Sequence, residues 1–518
     1  MVQPPGLSLP EANYPPGLTN PAPLETIQTV LNDQFPGNGE MNTEFEPSAT
    51  EHSNLRTTVD GYFKQTLSKF FQPLKPRRTL KPKLRTACSP AKQPTAKGAF
   101  FSLMKRNFGQ QLFASPMGYR EFAKEALENM MDTFGVPDWR ERAKQFDFVR
   151  PSREHLAEWM KAQTPQTLDA LGKMDHAFAL EELADAVDDY EFIMKKTPKT
   201  PTDTKPQKVL ATVQTIMFHN KRVNSYYGSL VRELDRRFRS LIRPEVLYNK
   251  GKNMDEIEAF LNRYYQASFG ALAIENDFSD FDRSQERVAT ALDLALLSML
   301  GMHPEDLDEW ARGHYKHSNI SFSLGLVVYL RWQRKSGDVT TSFCNTVLNM
   351  TAMAWCLGLK HEEVLVGMFL GDDSFLQLIP SPGLKERVKQ CSEKIGTLFN
   401  GTAKTSYFDT GYFCGLYILQ VGDEIKLAAD PYRRAVKLGR WDMKDHDMVK
   451  ENWISFQDSV RNYEDRRVQE ALVGAVHERH PWAHGPNVDA LVCSLYTLKK
   501  SFKEFRNFWD RNVSVTFY

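Results

Sequence analysis

Cysteine is scarce in this sequence, with six residues in a chain of 518, and no two of them form a CxxC pair. Cys344 and Cys356 lie within apolar runs, where a thiol packs as a small hydrophobic group. This spacing gives no sign of a disulfide framework. We therefore expect a protein of a reducing, cytoplasmic compartment.

Long apolar runs are missing as well. No stretch of eighteen residues is apolar and free of charge, and the first residues, MVQPPGLSLPEANYPPG, lack a basic start followed by an apolar core. We expect neither a signal peptide nor a membrane-spanning helix in this sequence.

Acidic residues are absent from positions 61–120, which contain thirteen lysines and arginines, whereas positions 1–60 contain eight acids and Arg56 as their base. The length of 518 residues suits one large enzyme or three small domains. The composition, with 41% hydrophobic residues, 25% charged residues and a net charge of +1, is ordinary for a soluble protein. Recurrent prolines predict a proline-rich, acidic-then-basic N-terminal extension at residues 1–97. Its basic stretch, residues 75–85, is either a solvated tether or a nucleic-acid contact.

Helical and strand patterns follow one another from residue 98 onwards. They predict helices at residues 119–134, 225–242 and 384–399, and one ended by Gly358. Within the extension, short helices are predicted at residues 24–32 and 59–71. From residue 431 to the end the pattern is mainly helical.

Residues 364–379, VLVGMFLGDDSFLQLI, combine two apolar runs with the tripeptide Gly371-Asp372-Asp373. This pattern predicts a β-hairpin with two adjacent carboxylates at its tip. Because neighbouring carboxylates repel, one of them tends to stay protonated unless a cation lies between them. The tripeptide therefore indicates a divalent-metal site, and a polar surface turn is the alternative.

Three further patterns carry polar groups. The segment FIMKKTPKTPTDTKPQKVLATVQTIMF begins and ends as a strand, and lysines on such a two-stranded finger suit a triphosphate; an exposed basic hairpin is the alternative. Asp277 ends a strand and Asp282 begins the helix expected from about Arg283, so both should lie at one edge, although Asp282 or Asp280 could be an N-cap instead. Thr341, Asn345 and Asn349 recur every four residues, as a polar stripe that needs partners on an apolar helix.

The order of these patterns is a basic finger, Asp-x4-Asp after a strand, Ser-Gly-x3-Thr-x3-Asn-Thr opening a helix, and Gly-Asp-Asp in a hairpin. Two-metal phosphoryl transfer requires carboxylates from neighbouring strands around divalent ions. A nucleotidyl transferase fits every part of this arrangement.

The motifs ENDFSDFD, RKSGDVTTSFCNTVLNM, GMFLGDDSF, GYFCGLYI and ADPYRRAVKLG resemble those of the RNA-dependent RNA polymerases of the alphavirus-like superfamily of plus-strand RNA viruses. RKSGDVTT, GDDS and YFCG are most similar to the tobamovirus-like (virgavirus) branch. The resemblance covers residues 98–508 or so. A GxxxxGK[ST] phosphate loop is absent, so we expect the helicase and capping regions of such replicases to lie outside this sequence.

The resemblance implies an α+β fold in the form of a right hand, with an antiparallel palm sheet and a helical thumb. The fingers would be residues 98–270, the palm residues 271–424 with a fingers insertion at about 303–335, and the thumb residues 425–518.

The resemblance also implies roles for single residues. Asp277, Asp372 and Asp373 resemble the metal-binding carboxylates, and Lys404 resembles the lysine that protonates departing pyrophosphate. The residues that resemble those contacting the nucleoside triphosphate are Lys195, Lys199, Arg222, Asp282, Ser336, Gly337, Thr341 and Asn345. Among them, Lys195, Lys199 and Arg222 resemble the residues that hold the triphosphate, and Asp282, Ser336, Thr341 and Asn345 resemble the set that recognises the ribose. The residues that resemble the hairpin gripping the primer strand are Tyr412, Phe413, Cys414 and Gly415.

One departure concerns Lys404. Many relatives carry an acid two residues before this lysine, where this chain has Thr402, and Gly401 is expected to make the segment more flexible.

The resemblance implies Mg²⁺ as cofactor, with Mn²⁺ as a substitute. The implied partners are template and nascent RNA, nucleoside triphosphates, a viral helicase and capping replicase protein, and host factors. The implied location is the host cytoplasm, in replication complexes that partners attach to membranes. The alternatives are a reverse transcriptase-like polymerase and an inactive scaffold that binds RNA and replication partners.

Overall fold

The computed structural model describes residues 22–35, 61–65, 77–86, 95–107, 118–172, 186–195, 214–265, 271–279, 281–315, 317–321, 323–483 and 485–515. Over these residues helices and strands are mixed along the chain, and the strands form four sheets in which most neighbours are antiparallel. The predicted α+β class is therefore confirmed.

The first half of the described chain contains helices interrupted by short strands. Its N-terminal elements are α1 (Pro23–Gln34), β1 (Gly61–Gln65), β2 (Arg77–Pro82) and α2 (Ala96–Arg106). A run of helices follows, namely α3 (Tyr119–Phe134), α4 (Trp139–Lys144), α5 (Arg153–Lys161) and α6 (Pro165–Gly172). The next elements are β3 (Asp189–Met194), β4 (Thr215–Phe218), α7 (Lys221–Leu241), β5 (Val246–Tyr248) and α8 (Met254–Tyr264).

The middle of the chain supplies most strands of the largest core. Its first elements are β6 (Leu272–Ser279), α9 (Phe281–Ser284), α10 (Arg287–Met299), α11 (Pro304–Tyr315), β7 (His317–Ser321) and β8 (Leu326–Leu330). They are followed by α12 (Thr341–Leu357), a 3-10 turn (His361–Glu363), β9 (Val364–Leu370), β10 (Asp373–Leu378), α13 (Leu384–Phe399) and β11 (Thr402–Phe408).

The C-terminal part begins with a small sheet and continues as helices. The strands are β12 (Gly411–Phe413), β13 (Leu416–Val421) and β14 (Glu424–Ala429). The remaining elements are α14 (Pro431–Lys437), α15 (His446–Ser459), a 3-10 turn (Arg461–Glu464), α16 (Arg466–Arg479), α17 (Gly485–Lys500), α18 (Phe502–Arg506) and β15 (Trp509–Val515).

The central sheet has the strand order β11-β6-β10-β9-β5, and only β5 is parallel to its neighbour. Both of its faces are buried. Leu376 belongs to the core formed with α12 and α13, whereas the next residue back, Phe375, belongs to the core formed with the small sheet. Since successive side chains of a strand point to opposite faces, a strand covered on both faces needs a continuous apolar run, as VLVGMFL in β9 provides.

A second sheet, the outer sheet, has the order β1-β8-β7-β3-β4. Residues from β3, β4 and β8 pack with α2 in a separate small core. β7 pairs in parallel with β3, so two chain segments more than a hundred residues apart form one sheet. The antiparallel pair β3–β4 confirms the predicted two-stranded finger.

The N-terminal segment packs on the C-terminal helices. Ile27 and Val30 of α1 are fully buried in the core that includes α14, α16 and α17. β2 pairs with β15, the last strand of the described chain. In β2 and the residues after it, exposed Arg78, Lys81 and Lys83 alternate with buried neighbours.

The fold corrects two sequence-based predictions. The helix predicted at residues 59–71 is wrong where it is described, because residues 61–65 form β1, paired with β8. The tether interpretation of residues 75–85 is wrong for residues 77–82, which form a strand paired with β15. In both cases the partner strand lies hundreds of residues away, beyond the reach of a local pattern. The C-terminal part is mainly helical as predicted, and it ends in β15.

The helices at residues 119–134 and 384–399 begin and end as predicted, and α12 ends before Gly358 as predicted. α1 extends the helix predicted at residues 24–32 by a few residues, and α7 begins four residues before the predicted position 225. Within the described chain, no helix combines the length and apolar character needed to span a bilayer.

The packing of α1 gives a direct test. Ile27→Ala should lower the free energy of unfolding by about 2–5 kcal/mol, because it leaves a cavity in the C-terminal core. Glu25→Ala, at an exposed position of the same helix, is the matched control and should change it by less than about 0.5 kcal/mol. Urea unfolding followed by tryptophan fluorescence measures both. Equal small effects would show that α1 does not contribute to this core.

Candidate active site

The predicted hairpin at residues 364–379 is confirmed as β9 and β10. Leu370 lies opposite Asp373, so Gly371 and Asp372 form the two-residue turn. Gly371 has a φ of +60°, a left-handed conformation that glycine adopts without steric cost. The turn therefore presents the two carboxylates at one end of the central sheet.

Helix α12 fixes the position of this turn. The Gly371 amide donates to the Thr346 hydroxyl at 2.9 Å, and the Asn349 side-chain amide donates to the Gly371 carbonyl at 3.1 Å. Both side chains are fully buried in the core. Asn349, one residue of the polar stripe predicted to need partners, therefore has its partner in this turn.

Strand β6, next to β10, brings a third acid to the turn, and strand β11, next to β6, brings a lysine. Ser374 lies opposite Asn276 in the antiparallel pair β10–β6, so the next pair outward is Asp373 and Asp277. On the other edge of β6, Lys404 lies directly opposite Asp277. The segment of Lys404 is a strand, and Gly401 before it is buried, where a Cβ atom would lie 2.8 Å from the Ile395 side chain. The expected flexibility at Gly401 stays a prediction.

The carboxylates interact electrostatically although solvent reaches them. Burial by the surrounding protein raises the pKa of Asp372 to about 6, and the negative charges of Asp373, Asp282 and Asp277 add to the rise. Burial also raises the pKa of Asp373, while the Cys414 thiol and the charge of Arg433 oppose the rise. The site therefore concentrates negative charge that a bound cation would relieve.

Their side chains are near one another without converging on one point. Among the described residues, no three Asp, Glu, His or Cys side chains are arranged as a ready metal-binding group. In the same part of the chain, no lysine or arginine forms an ion pair with Asp277, Asp372 or Asp373. Hard carboxylate oxygens are the ligands that Mg²⁺ and Mn²⁺ prefer, so the chemistry of the donor set fits such an ion.

Asp282 and Asn345 meet as predicted from their positions. The Asn345 side-chain amide donates to Asp282 Oδ1 at 3.0 Å, which joins α9 to the polar stripe of α12. The helix expected from Arg283 begins at Arg287 with Glu286 as its N-cap, so capping of that helix by Asp282 is wrong. Asp280 lies outside the described residues.

Three more residues of the predicted nucleotide-contacting set lie just before and at the start of α12. The Ser336 hydroxyl donates to the Thr215 carbonyl at 2.9 Å, and the Gly337 amide donates to the Met217 carbonyl at 2.8 Å. The Thr341 hydroxyl donates to the Lys335 carbonyl at 2.6 Å. All of these bonds hold the segment onto neighbouring elements, and the contact with a sugar stays a prediction.

The candidate triphosphate residues are only partly described. Lys195 follows β3 and is exposed, with its ammonium group 3.2 Å from Gln214 Oε1. Arg222 lies in the first turn of α7. Lys199 lies outside the described residues. The structure brings neither described cation into an ion pair with the acidic turn, so their role stays a prediction.

The predicted primer-grip hairpin adjoins the acidic turn. Cys414 and Gly415, with φ of 53° and 80°, form the turn between β12 and β13. The Cys414 thiol donates to Asp373 Oδ2 at 3.5 Å. Tyr412 donates to Asp430 Oδ2 at 3.1 Å, and Phe413 is buried in the core behind the central sheet.

Sequence reasoning missed Arg433 as part of this site. Its charge opposes the rise in the pKa of Asp373. Its guanidinium packs against Gly415, where a Cβ atom would lie 3.2 Å from Arg433 Nη1. The motif ADPYRRAVKLG contains it, three residues after the helix-capping Asp430. A signal was therefore present, but only the tertiary structure shows which of its cations faces the acids.

The grip of α12 on the acidic turn can be tested with two threonines. Thr346 and Thr351 are both fully buried, and each hydroxyl donates to the carbonyl four residues earlier at 2.8 Å. Thr346 alone also accepts from Gly371. Thr346→Val should lower the free energy of unfolding by about 1–2 kcal/mol more than Thr351→Val, because it strands the Gly371 amide. Equal losses in urea unfolding would contradict this account.

Comparison with known proteins agrees with this geometry. A family model described as RNA dependent RNA polymerase matches residues 59–508. The chain is 27% identical over 480 residues to the replicase large subunit of Soil-borne wheat mosaic virus, covering 93% of this chain and 25% of that protein. It is 27% identical over 494 residues to the replicase large subunit of Sunn-hemp mosaic virus, covering 94% of this chain and 29% of that protein.

A shorter relative is the RNA-directed RNA polymerase of Barley stripe mosaic virus, which is 26% identical over 481 residues, covering 91% of this chain and 59% of that protein. The chain thus spans between about a quarter and three fifths of the length of these relatives. The family model covers most of the sequence, and the resemblance inferred from the motifs is confirmed. The chain belongs to the RNA-dependent RNA polymerase family.

Proposed function

We propose that this chain synthesises RNA on an RNA template by joining nucleoside triphosphates to an RNA 3′-hydroxyl. The observation that carries the proposal is the meeting of Asp277, Asp373 and Lys404 on three neighbouring strands, beside Asp372 at the turn. Two acids from different strands and an adjacent cation are what transfer of a phosphoryl group requires. Membership of the polymerase family supports the same reaction.

The proposed architecture is a right hand. Residues 98–270 would be the fingers, residues 271–424 the palm with a fingers insertion at about 303–335, and residues 425–518 the thumb. The pairing of β7 with β3, and of β8 with β7, in the outer sheet supports the insertion. The packing of α1 and β2 on C-terminal elements supports an extension that is attached to the thumb through these two elements, while β1 pairs with β8 of the proposed fingers insertion.

The proposed cofactor is Mg²⁺, with Mn²⁺ as a substitute, held by Asp277, Asp372 and Asp373. The raised pKa of Asp372 supports this assignment, since it reflects burial together with an excess of negative charge. When bound, such ions promote ionisation of the attacking hydroxyl and neutralise charge on the leaving pyrophosphate.

The remaining steps fall to cations and hydrogen-bonding groups of the chain. Lys404, beside Asp277, would give a proton to the departing pyrophosphate, because pyrophosphate is a better leaving group when it is protonated. Lys195, Lys199 and Arg222 would hold the triphosphate by charge. The role of Lys404 is supported by its register in β11.

The hairpin of Tyr412, Phe413, Cys414 and Gly415 would support the primer strand next to the reacting hydroxyl. Its anchoring supports this role. Phe413 is buried in the core, Tyr412 is bonded to Asp430, and the Cys414 thiol contacts Asp373.

The proposed setting is a replication complex. Relatives of greater length are named replicase large subunits, which supports a helicase and capping protein as the viral partner, with host factors beside it. The proposed location is the host cytoplasm, on membranes reached through these partners.

Asp372→Ala should abolish primer extension while leaving RNA affinity nearly unchanged, because the residue would hold metal rather than template. Loss of a metal ligand should reduce the rate about a thousandfold or more. Asp423→Ala is the matched control. It follows Gly422, whose φ of 63° resembles that of Gly371, at a hairpin turn outside the acidic group. Extension by Asp372→Ala at more than about a tenth of the wild-type rate would refute the metal assignment.

Sugar selection gives a second test. A ribose 2′-hydroxyl both donates and accepts, so Asp282 and Asn345 can satisfy it as a pair. A deoxynucleotide would offer this pair no hydroxyl and leave it only the bond between its own members, at about 1–3 kcal/mol or roughly tenfold to a hundredfold in discrimination. Asp282→Ala and Asn345→Ala should each lower the ratio of ribonucleotide to deoxynucleotide incorporation efficiency, and the double variant should lose less than the sum.

Asn253→Ala is the control for this experiment. Asn253 caps α8 away from the site, so its loss should cost about 1 kcal/mol of stability without altering the ratio. If Asp282→Ala and Asn345→Ala behave like Asn253→Ala, the assignment to the sugar fails. A wild-type preference for deoxynucleotides would instead favour the reverse transcriptase alternative.

A further inference from the structure

A buried polar cluster lies between the outer sheet and the start of α12. It includes Lys335 and Asp338, from the segment of residues 334–340 that precedes α12, here called the linking segment. Their exposed fractions are 1% and 6%. Tyr190 of β3 and His219, which follows β4, are each 1% exposed and complete the cluster. A fully buried lysine is rare unless a partner offsets its desolvation, so this one calls for a physical reason.

Lys335 faces an aromatic ring. Its ammonium nitrogen lies 4.8 Å from the centroid of the Tyr190 ring and forms no hydrogen bond with any described residue. Burial lowers the pKa of Lys335 to about 7, and the charge of Asp338 opposes that shift. The charge is thus stabilised by the ring face and by Asp338, each of which depends on geometry.

The other charged and titratable groups around Lys335 are neutral or already paired. Burial lowers the pKa of His219 to about 4 and holds that of His314, on α11, well below its usual value. Arg334 forms an ion pair with Asp293 at 2.6 Å, and Asp188 contributes a more distant negative charge. Lys335 and Asp338 are therefore the charges that balance each other within the cluster.

Asp338 joins the linking segment to β3. Its Oδ2 accepts from the Tyr190 hydroxyl at 3.2 Å, while its Oδ1 accepts from the amide and hydroxyl of Thr340 at 3.0 and 3.1 Å. Tyr190 therefore contacts both charges of the linking segment, one through its ring and one through its hydroxyl.

The backbone of the linking segment lies directly on β4. The Ser336 hydroxyl and the Gly337 amide both donate to β4 carbonyls. A Cβ atom at position 337 would lie 2.7 Å from the Met217 carbonyl oxygen, so only glycine permits this approach. The linking segment is thus held on β4 by one side-chain and one main-chain hydrogen bond, and on β3 by the buried cluster.

The two ends of this arrangement reach different parts of the proposed site. β3 continues into Lys195, a candidate triphosphate contact. The Lys335 carbonyl accepts from Thr341, and one turn further along α12 Asn345 holds Asp282. The cluster therefore joins the strand that leads to the triphosphate residues to the helix that carries the sugar residues.

We propose that Lys335 and Asp338 are positioning residues, which set the spacing between the triphosphate contact and the sugar contact through Tyr190. This inference rests on the proposed function. Neither residue touches substrate. Loss of Lys335 or Asp338 would let the linking segment shift on β4. A nucleotide bound through its triphosphate would then no longer place its 2′-hydroxyl within hydrogen-bonding distance of Asp282 and Asn345.

The test compares Lys335→Met and Asp338→Asn, which keep side-chain volume and remove charge, with Lys389→Met at an exposed surface position. Single-nucleotide extension on a primed RNA gives KM and kcat for a ribonucleotide and its deoxy form. We expect both cluster variants to raise the ribonucleotide KM and to lower the ribo-to-deoxy ratio of kcat/KM about tenfold, with RNA affinity unchanged. Lys389→Met should match wild type.

A merely structural role predicts a different result. Lower melting temperature with a kcat reduced equally for both sugars, and with KM and the ratio unchanged, would overturn the proposal. Tyr190→Phe keeps the ring under Lys335 and removes only the hydroxyl bond to Asp338, so it guards against variants that fail to fold. It should lower the ratio by about threefold, and an unchanged ratio in a folded Tyr190→Phe protein would also overturn the proposal.

The proposed function can fail separately. If wild-type protein extends no primer, the same comparison is made by equilibrium binding of α,β-methylene ATP and its 2′-deoxy form to the protein–RNA complex. Wild-type preference for the ribose form that Lys335→Met loses would support the positioning role without catalysis. Equal preference in wild type and Lys335→Met would overturn it.

Discussion

Mutual repulsion among carboxylates is the constraint around which this molecule is organised. Asp372 and Asp373 lie at one turn and Asp277 lies on the adjacent strand, so close together that the charges of Asp373 and Asp277 help to raise the pKa of Asp372. Such a group is costly to fold without a cation. The sheet that carries these carboxylates is covered on both faces, so the stability gained from burying β6, β9 and β10 offsets the electrostatic repulsion at the ends of the strands.

Helix α12 distributes that constraint to the rest of the site. Most residues of the helix are buried, many of them in the largest core, and its polar stripe reaches three separate places. Thr341 bonds the linking segment, Asn345 bonds Asp282, and Asn349 bonds the turn of Gly371. A single rigid element therefore sets the relative positions of the linking segment, the sugar candidates and the acidic turn, which is the kind of preorganisation a transfer reaction requires.

The chain ends have a structural role of their own. β2 pairs with β15, and α1 fills the C-terminal core, so segments near the two termini close the same region. Arg78 and Lys81 of β2 and Lys83 just after it are exposed between buried neighbours, and Lys83 forms an ion pair with Asp510 at 3.6 Å. The strand therefore holds these charges at a fixed surface, whereas a tether would carry them freely.

The sequence by itself determined the features that depend on neighbours along the chain. Apolar runs around Gly371 and Asp372 specify a hairpin, and the four-residue spacing of Thr341, Asn345 and Asn349 specifies one face of a helix. Only the tertiary structure decided which strands lie side by side, that residues 61–65 pair as a strand with β8, and that Arg433 faces Asp373. Those outcomes depend on contacts between residues far apart in sequence, whose free energy no local pattern records.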